Sequence, residues 1–369
     1  MSALFAALLL AQAASATASA RPVSADAFEA LARDAAAARD AGRLDEAFAL
    51  YTKALKLRPR WDDGLWSAGS IAYDRDKYVE CVPLFHRLTA IKPDLAPAWT
   101  MAGLCEYALH DYSAALTTFT QVEQLHFDGA PELSRAARLH YAIVLTKAGR
   151  YEKAIVVLAE LTGVDRKSQD ITIAAGIAGI RKPWTPAEVP EAERERVAKL
   201  GDAMSTAMEL DTRSAIGKFE AAVKEFPSDP DIHFRFGGFL MRQEPERGIA
   251  EIKKAIELEP EHIPALLGLA NIYLSNGDPK TATTYALEAC EASPDDFATH
   301  VVYGRTLLES NDYIDAAVEL ETAVRLAPES ADAHFSLASA YSRLGRKADA
   351  QHEQEEFRRL RKVVDAAHP

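Results

Sequence analysis

The sequence predicts an all-α protein built as an array of helical hairpins, and two observations lead to that prediction. First, several classes of residue recur every 34 positions near both ends of the 369-residue chain. Second, each interval contains two stretches with the apolar spacing of a helix face, separated by a short break. Consecutive helices joined by short connections lie antiparallel and in contact, so each interval forms one hairpin.

The 34-residue period is shared by prolines, small residues and large residues, which makes coincidence an inadequate explanation. The prolines keep it near the start at Pro59 and Pro93, and near the end at Pro260, Pro294 and Pro328. Other residues keep the same step in the series Ala47, Cys81 and Ala115; Gly69 and Gly103; Ala270, Gly304 and Ala338; Tyr273, Leu307 and Tyr341; and Ala282, Ala316 and Ala350.

The repeat near residue 270 shows how each interval divides into two helices. One helix face has apolar residues at the i, i+3, i+4 and i+7 positions, namely Leu266, Leu269, Ala270 and Tyr273. An Asn-Gly-Asp-Pro sequence then breaks the helix, and Pro294 closes the repeat because proline cannot donate into a continuing helix. The second helix repeats the spacing at Ala282, Ala286 and Ala289.

Small residues at matching positions of the two helices predict a close approach of the helix axes. Ala270 and Ala282 form such a pair, with larger side chains filling the space around it. A leucine forced into the crossing would cost about 1–3 kcal/mol through overpacking. The same pairing recurs at Gly69 with Cys81, Gly103 with Ala115, Ala142 with Ala154, Gly304 with Ala316, and Ala338 with Ala350.

On these positions the chain resembles the tetratricopeptide repeat proteins, whose 34-residue units are helical hairpins. The resemblance implies an α-α superhelix, a right-handed solenoid of about nine helix-turn-helix units with a degenerate central unit. It also implies that the first helix of each unit lines a concave groove that binds a protein or peptide. The pattern is clearest in the units that begin near Asp62, Ala96, Ile263, Phe297 and Ala331.

The sequence divides into four segments. Residues 1–20 are interpreted as a signal peptide, and residues 21–165 as an N-terminal repeat array. Residues 166–195 form an irregular helical junction, and residues 196–369 form a C-terminal array whose last, highly charged helix is the polar cap that a solenoid requires.

The junction departs from the period, because Ala154 and Ala215 are not separated by a multiple of 34. Residues 170–180 predict an apolar helix without a clear partner. A Thr-Pro-Ala-Glu sequence at Thr185 has the residue types of a capping box with proline in the first turn, so it predicts a helix start. The junction either bends the array or forms a pocket, or it is a packed insertion with no role in binding.

The first twenty residues have the pattern of a secretory signal peptide. An apolar run at residues 3–11 is followed by small residues and by Ala-x-Ala sequences that predict cleavage near Ala18 or Ala20, although no Lys or Arg precedes the run. We therefore expect an exported protein, periplasmic or secreted. No later stretch has eighteen consecutive apolar residues, so the mature chain is predicted to lack a transmembrane segment.

The formal net charge of −13 argues against a nucleic-acid partner, because nucleic-acid binding depends on dense positive charge. The three cysteines, Cys81, Cys105 and Cys290, contain no Cys-x-x-Cys pair, so no zinc or thioredoxin-like site is indicated. Two interpretations stay open for them. Cys81 and Cys105, in neighbouring repeats, form a disulfide outside the cytoplasm, or all three cysteines are small buried residues.

Sequence motifs that carry chemistry are absent. The chain has no His-Glu-x-x-His sequence, no phosphate-binding Gly-x-x-x-x-Gly-Lys sequence and no Gly-x-Ser-x-Gly sequence. His300 and His334 are 34 residues apart, so we interpret them as packing or groove residues instead of a metal pair. The sequence therefore predicts a protein that is not an enzyme, with no catalytic residue, no cofactor and no metal site.

A spacing of seven residues along the first helices marks the predicted binding face. Apolar and aromatic side chains along a groove favour a helix or an extended peptide with an apolar segment. Trp66, Tyr73 and Tyr107 form the predicted hot spot, although each of them could pack against the adjoining repeat instead. The predicted groove residues are Trp66, Tyr73, Tyr107, Leu139, Leu267, Leu274, Val301 and Leu308.

Three hypotheses about function follow from these patterns. The first is a non-catalytic scaffold that mediates protein–protein or protein–peptide interaction through its concave groove. The second is a structural subunit of an envelope or secretion assembly. The third is a small-ligand or enzymatic site in the irregular junction, near Trp184. The sequence leaves the oligomeric state open.

Overall fold

The computed structural model describes residues 23–126, 130–162 and 168–367, and every regular element in these ranges is helical. The all-α prediction is therefore confirmed. The predicted signal peptide at residues 1–20 and the predicted domain boundary at residue 165 lie outside the described residues. Across the ranges that are described, no helix combines the length and apolar character that a membrane span requires.

The chain packs as two compact units, one ending at Cys105 and the other beginning at Glu106. In the first unit, consecutive helices pair as hairpins, α1 with α2 and α3 with α4. The helices are α1 (Val23–Asp40), α2 (Leu44–Leu57), α3 (Asp62–Asp74), α4 (Tyr78–Ile91) and α5 (Ala96–Ala108), which runs across the boundary.

The second unit continues the series of hairpins and contains the irregular junction. Two 3-10 turns, at Pro186–Glu188 and Glu191–Glu193, lie in the junction. The helices are α6 (Tyr112–Gln124), α7 (Pro131–Lys147), α8 (Tyr151–Thr162), α9 (Gln169–Gly179), α10 (Arg194–Met208), α11 (Thr212–Glu225), α12 (Pro230–Leu240), α13 (Pro245–Leu258), α14 (Ile263–Ser275), α15 (Pro279–Ala292), α16 (Phe297–Glu309), α17 (Tyr313–Leu326), α18 (Ala331–Arg343) and α19 (Lys347–Ala367).

The turn inside most hairpins depends on one residue with left-handed backbone, whereas the turn between α12 and α13 contains none. In the last three hairpins this residue is Gly277, Asn311 or Gly345, each 34 positions after the one before. Glycine and asparagine adopt this conformation at little cost, which ends the first helix and reverses the chain. Leu210 has the same role between α10 and α11 with φ of 63°, although its side chain is 84% exposed and gains no burial there.

Helices within a hairpin meet at small residues, as the sequence predicts. A Cβ atom added to Gly304 on α16 would lie 2.6 Å from Leu320 Cγ and 3.3 Å from the Ala316 carbonyl oxygen on α17. In the hairpin of α12 and α13, a Cβ atom on Gly237 would lie 2.6 Å from the carbonyl oxygen of Gly248. Gly248 stands where most repeats have alanine, and this close contact between backbones is the physical reason.

The junction contains a crossing of two helices that the sequence analysis missed. Residues 170–180 were expected to form a helix without a clear partner, but α9 packs along α10. A Cβ atom on Gly176 of α9 would overlap the carbonyl oxygen of Val197, and one on Gly201 of α10 would overlap that of Thr172. Two glycines on facing helices therefore bring the backbones themselves into contact.

The capping box predicted at Thr185 is present, but it begins a single 3-10 turn and not an α-helix. The Thr185 backbone N–H donates to Glu188 Oε2 at 2.8 Å, which closes the box. Lys147 Nζ on α7 donates to both carboxylate oxygens of Glu188, at 2.6 and 2.7 Å. This ion pair fastens the junction to the preceding hairpin.

Candidate functional site

A depression on the second unit is lined by the first helices of three consecutive hairpins, α14, α16 and α18. Its volume is about 390 Å³. We call it the C-terminal groove. The residues that line it are Asn271, Leu274, Ser275, Arg305, Leu308, Glu309, Phe335, Ser336 and Ser339.

The lining of the C-terminal groove follows the 34-residue repeat. Leu274 and Leu308 occupy the same repeat position on α14 and α16, and both are half-buried. Asn271, Arg305 and Ser339 occupy another shared position, one on each helix. Because equivalent side chains lie side by side on neighbouring helices, the groove is a surface that recurs with the repeat and not an isolated depression.

The polar side chains of this groove are largely satisfied by their own helices. Asn271 Nδ2 donates to the Leu267 carbonyl oxygen at 2.9 Å, and Ser339 Oγ donates to the Phe335 carbonyl oxygen at 3.0 Å. Arg305 is exposed and brings a positive charge to the middle of the groove. The surface therefore combines three apolar side chains with several polar ones, and Arg305 and Glu309 add one charge of each sign.

Phe335 is the apolar residue of the groove that the sequence analysis missed. It is 56% exposed, unusual for a phenylalanine, and contacts Phe357 of α19 with ring centroids 5.3 Å apart. The 34-residue repeat could have identified Phe335 as a groove residue, because it follows the predicted groove residue Val301 by one step.

The other predicted groove residues of the second unit are placed differently. Leu267 is half-buried, near Ala270 and Val302. Leu139 and Val301 are only 8% and 9% exposed, so neither offers an open surface. Val301 packs with Ala323 and Ala333 because the next hairpin covers its face of α16.

In the first unit, the predicted hot-spot residues pack within their own hairpin. The Trp66 ring contacts Phe85 edge to face, with centroids 5.6 Å apart. The Tyr73 ring contacts Tyr78 in the same way at 5.7 Å. Both Trp66 and Tyr73 are half-buried, so each has a structural role and some surface left for contact.

Tyr107, the third predicted hot-spot residue, belongs to the second unit. Its ring packs edge to face against His140 of α7 with centroids 4.7 Å apart, and it also contacts Tyr112. Burial raises the pKa of Tyr107 to about 12. The placement of Tyr107 is that of a packing residue with a partly accessible edge.

The structure joins Cys81 and Cys105 in a disulfide. The two Cα atoms are 6.2 Å apart, with Cys81 on α4 and Cys105 on α5. Both residues are fully buried. The bond therefore ties the second helix of one repeat to the first helix of the next.

Three hairpins of the second unit share a buried histidine–glutamate motif. In α16 and α17, His300 Nδ1 lies 2.6 Å from Glu319 Oε2, and His300 Nε2 lies 2.8 Å from the Pro294 carbonyl oxygen. A carbonyl can only accept, so Nε2 carries a hydrogen and donates it. The same arrangement joins His233 with Glu251 and Pro227, and His334 with Glu353 and Pro328.

One of these three motifs has an additional neighbour. Cys290 Sγ lies 3.5 Å from His300 Nδ1 and 3.8 Å from Glu319 Oε2. Burial, followed by the nearby Glu319 carboxylate, raises the pKa of the Cys290 thiol to about 11. Among the described residues, Cys290, His300 and Glu319 form a group whose donor atoms are close enough together to hold a metal ion.

Comparison with known proteins agrees with the hairpin geometry. Sequence models of the tetratricopeptide repeat match residues 100–170, 251–284 and 304–356. Together with the 34-residue period and the paired helices, these matches identify the chain as a tetratricopeptide repeat protein. Proteins of this class are, in general, interaction scaffolds that bind proteins or peptides.

Solved structures resemble the chain at the level of the fold. A structure titled MamA RS-1 ArsTM double mutant is 17% identical, with 45% of this chain and 94% of that one covered and a TM-score of 0.42. MamA 41-end from Desulfovibrio magneticus RS-1 is 18% identical, with 46% and 94% covered and a TM-score of 0.39. The Cut9–Hcn1 hetero-tetramer of the APC/C is 12% identical, with 92% and 88% covered and a TM-score of 0.39. No curated protein matches the chain.

Proposed function

We propose that this chain is a non-catalytic scaffold that binds a protein or peptide with an apolar segment in the C-terminal groove. The observation that carries the proposal is Phe335, a large aromatic side chain left 56% exposed in a depression lined by three repeats. Aromatic residues, phenylalanine among them, are enriched at protein–protein interfaces relative to the rest of the surface. Half-buried Leu274 and Leu308 supply the aliphatic neighbours.

The chemistry of the groove defines the partner further. Leu274, Leu308 and Phe335 project from successive helices, so a helix or extended peptide crossing them would place several apolar side chains in contact. Arg305 and Glu309 lie one turn apart on α16 in the groove, so they favour an acidic and a basic residue, respectively, in that segment. A preformed surface of this kind binds without a large ordering cost.

Site-specific photo-crosslinking tests this proposal even while the partner is unidentified. A photoreactive phenylalanine analogue at position 335 is expected to crosslink a partner in the native host. The matched control places the same analogue at Ile314, which is 69% exposed on α17, a second helix of its hairpin. Equal crosslinking to the same protein from both positions would show that binding does not occur in the groove.

The identified partner then permits a direct measurement of affinity. Phe335→Ala is expected to weaken binding about 10–100-fold, as the loss of a hot-spot aromatic residue does. Ile314→Ala should leave the affinity unchanged. The predicted hot spot of the first unit is tested in the same assay by Trp66→Ala and Tyr73→Ala.

We also propose that the protein acts outside the cytoplasm, in the periplasm or after secretion. The disulfide between Cys81 and Cys105 supports this, because such bonds persist in oxidising compartments. Sequencing the N-terminus of the protein from its native host tests the proposal. A new N-terminus after Ala18 or Ala20 is expected, and retention of Met1 would refute it.

A further inference from the structure

Three potential metal ligands converge from three consecutive helices of the second unit. Cys290 lies near the end of α15, His300 on α16 and Glu319 on α17. Cys290 and His300 are each 8% exposed, and the Glu319 side chain is 22% exposed. The thiol, the imidazole and the carboxylate are thus brought together by tertiary packing in a largely buried place.

The two sister motifs show what is special about this one. The residue ten positions before each motif histidine is Cys290 in this motif, and Val223 or Val324 in the others. A histidine bonded to a glutamate and a proline carbonyl therefore forms without any thiol. The repeat architecture explains His300 and Glu319, and it leaves the added sulfur unexplained.

The hydrogen bonds of His300 prepare its Nδ1 atom to bind a cation. Because Nε2 donates to the Pro294 carbonyl oxygen, the lone pair of the neutral imidazole lies on Nδ1. Nδ1 faces a carboxylate oxygen of Glu319 at 2.6 Å, and two acceptors at that distance need a positive charge between them. The sister motifs have the same short contact between imidazole and carboxylate. A metal-bound histidine has the same outer hydrogen bond to a backbone carbonyl.

We propose that Cys290, His300 and Glu319 form a zinc-type metal site that fastens α15, α16 and α17 together. The proposed ligands are the thiolate sulfur, the imidazole Nδ1 and a carboxylate oxygen, with a water molecule in the fourth position. The charges of a divalent ion, a thiolate and a carboxylate cancel, which suits a largely buried place.

Two of the three distances between the donor atoms agree with tetrahedral coordination of one ion. Zinc–ligand bonds of the usual lengths place sulfur about 3.5 Å from nitrogen and from oxygen, and nitrogen about 3.3 Å from oxygen. The observed separations are 3.5 Å from Cys290 Sγ to His300 Nδ1 and 3.8 Å from Sγ to Glu319 Oε2. The third, 2.6 Å from Nδ1 to Oε2, must lengthen, and the flexible, partly exposed Glu319 side chain permits this.

The disulfide makes a spectroscopic test unusually specific. Cys81 and Cys105 are bonded to each other, so Cys290 is the one free thiol among the three cysteines of the chain. In a Co²⁺ titration of the full oxidised chain, a sulfur-to-cobalt charge-transfer band can arise only from Cys290. We expect that band to saturate at one ion per chain and to disappear when Zn²⁺ is added.

Three variants distinguish metal binding from the histidine–glutamate contact that recurs in the repeats. Cys290→Val, which installs the residue of the sister motifs, should fold normally, abolish the band and weaken Zn²⁺ binding by more than about 100-fold, beyond the usual effect of losing an outer hydrogen bond. Glu319→Gln should weaken binding of both ions at least about 10-fold. Glu353→Gln, the matched change in a motif without cysteine, should leave binding unchanged.

Several results would overturn the proposal. The absence of a charge-transfer band in the wild-type protein would do so, as would the same tight Zn²⁺ stoichiometry in the Cys290→Val variant. Equal weakening by Glu319→Gln and Glu353→Gln would show that the ions bind to acidic side chains in general and not at one specific site. Thermal unfolding gives a second readout, because Zn²⁺ should raise the Tm of the wild type and not that of Cys290→Val.

Discussion

Replacing Gly201 with alanine tests whether the backbones of α9 and α10 meet where the structure places them. Alanine favours a helix interior over glycine by about 1 kcal/mol, so propensity alone predicts a more stable protein. A Cβ atom on Gly201, however, would overlap the Thr172 carbonyl oxygen and lie 3.2 Å from the Gly176 backbone nitrogen. Both of these atoms belong to helix backbone and cannot rotate away.

The size of the effect follows from these opposing contributions. Overpacking costs about 1–3 kcal/mol, and a contact with rigid backbone belongs at the upper end of that range. After the gain in helix propensity, Gly201→Ala should lower the free energy of unfolding by about 2 kcal/mol. For a unit of this size, each kcal/mol corresponds to about 2–4 °C in Tm.

Gly217 provides the matched control, because it lies in the neighbouring helix α11 and a Cβ atom there would meet nothing within 4 Å. Gly217→Ala should therefore raise stability by about 1 kcal/mol, so the two substitutions have opposite signs. Urea denaturation followed by circular dichroism measures both. Hydrogen exchange should show faster opening of α9 and α10 amides in Gly201→Ala only. A Gly201→Ala protein as stable as the wild type would refute the close crossing.

Three further predictions concern the turns, the disulfide and the histidine motifs. Leu210→Gly should raise the free energy of unfolding by about 1 kcal/mol, because Leu210 has φ of 63° and an exposed side chain; a lower urea midpoint would contradict this. Reduction of the disulfide, whose cysteines are 24 residues apart, should destabilise the first unit by about 3 kcal/mol, and the same reductant should not affect the Cys81→Ala/Cys105→Ala double variant. The hydrogen bond to Glu251 raises the pKa of His233, although burial and Lys254 act in the opposite direction. The contribution of protonated His233 to stability is therefore complete below the unfolded pKa of about 6.5 and is lost as pH rises through the folded pKa. The stability difference between the wild type and His233→Gln should therefore be larger at pH 6 than at pH 9 in urea titrations, and a constant difference would contradict the assignment.

The hairpins could be predicted from the sequence because they depend on local rules. Pro294, Gly277 and the alanines at positions 270 and 282 recur with one period, and each acts on the helix to which it belongs. Proline and left-handed glycine end helices through backbone geometry alone. Small residues permit close packing wherever two connected helices face each other. None of these effects depends on distant parts of the chain.

The candidate groove could be predicted only in part. The seven-residue spacing selected Leu274 and Leu308 on α14 and α16, and both line the C-terminal groove. It also selected Leu139 and Val301, which are buried. Spacing shows which residues share a helix face, but the next hairpin covers part of that face, and its position depends on packing. The same uncertainty left Phe335 out of the prediction.

The sequence by itself determined the repeating unit, the turn residues and the small contacts within each hairpin, because these act between residues close along the chain. Tertiary structure alone decided the crossing of Gly176 with Gly201 and the convergence of Cys290, His300 and Glu319. Those groups come from different helices, and the repeat that pairs His300 with Glu319 accounts neither for the glycine crossing nor for the sulfur of Cys290. Their distances follow from how the helices rotate and pack against one another, and that arrangement is a property of the folded chain.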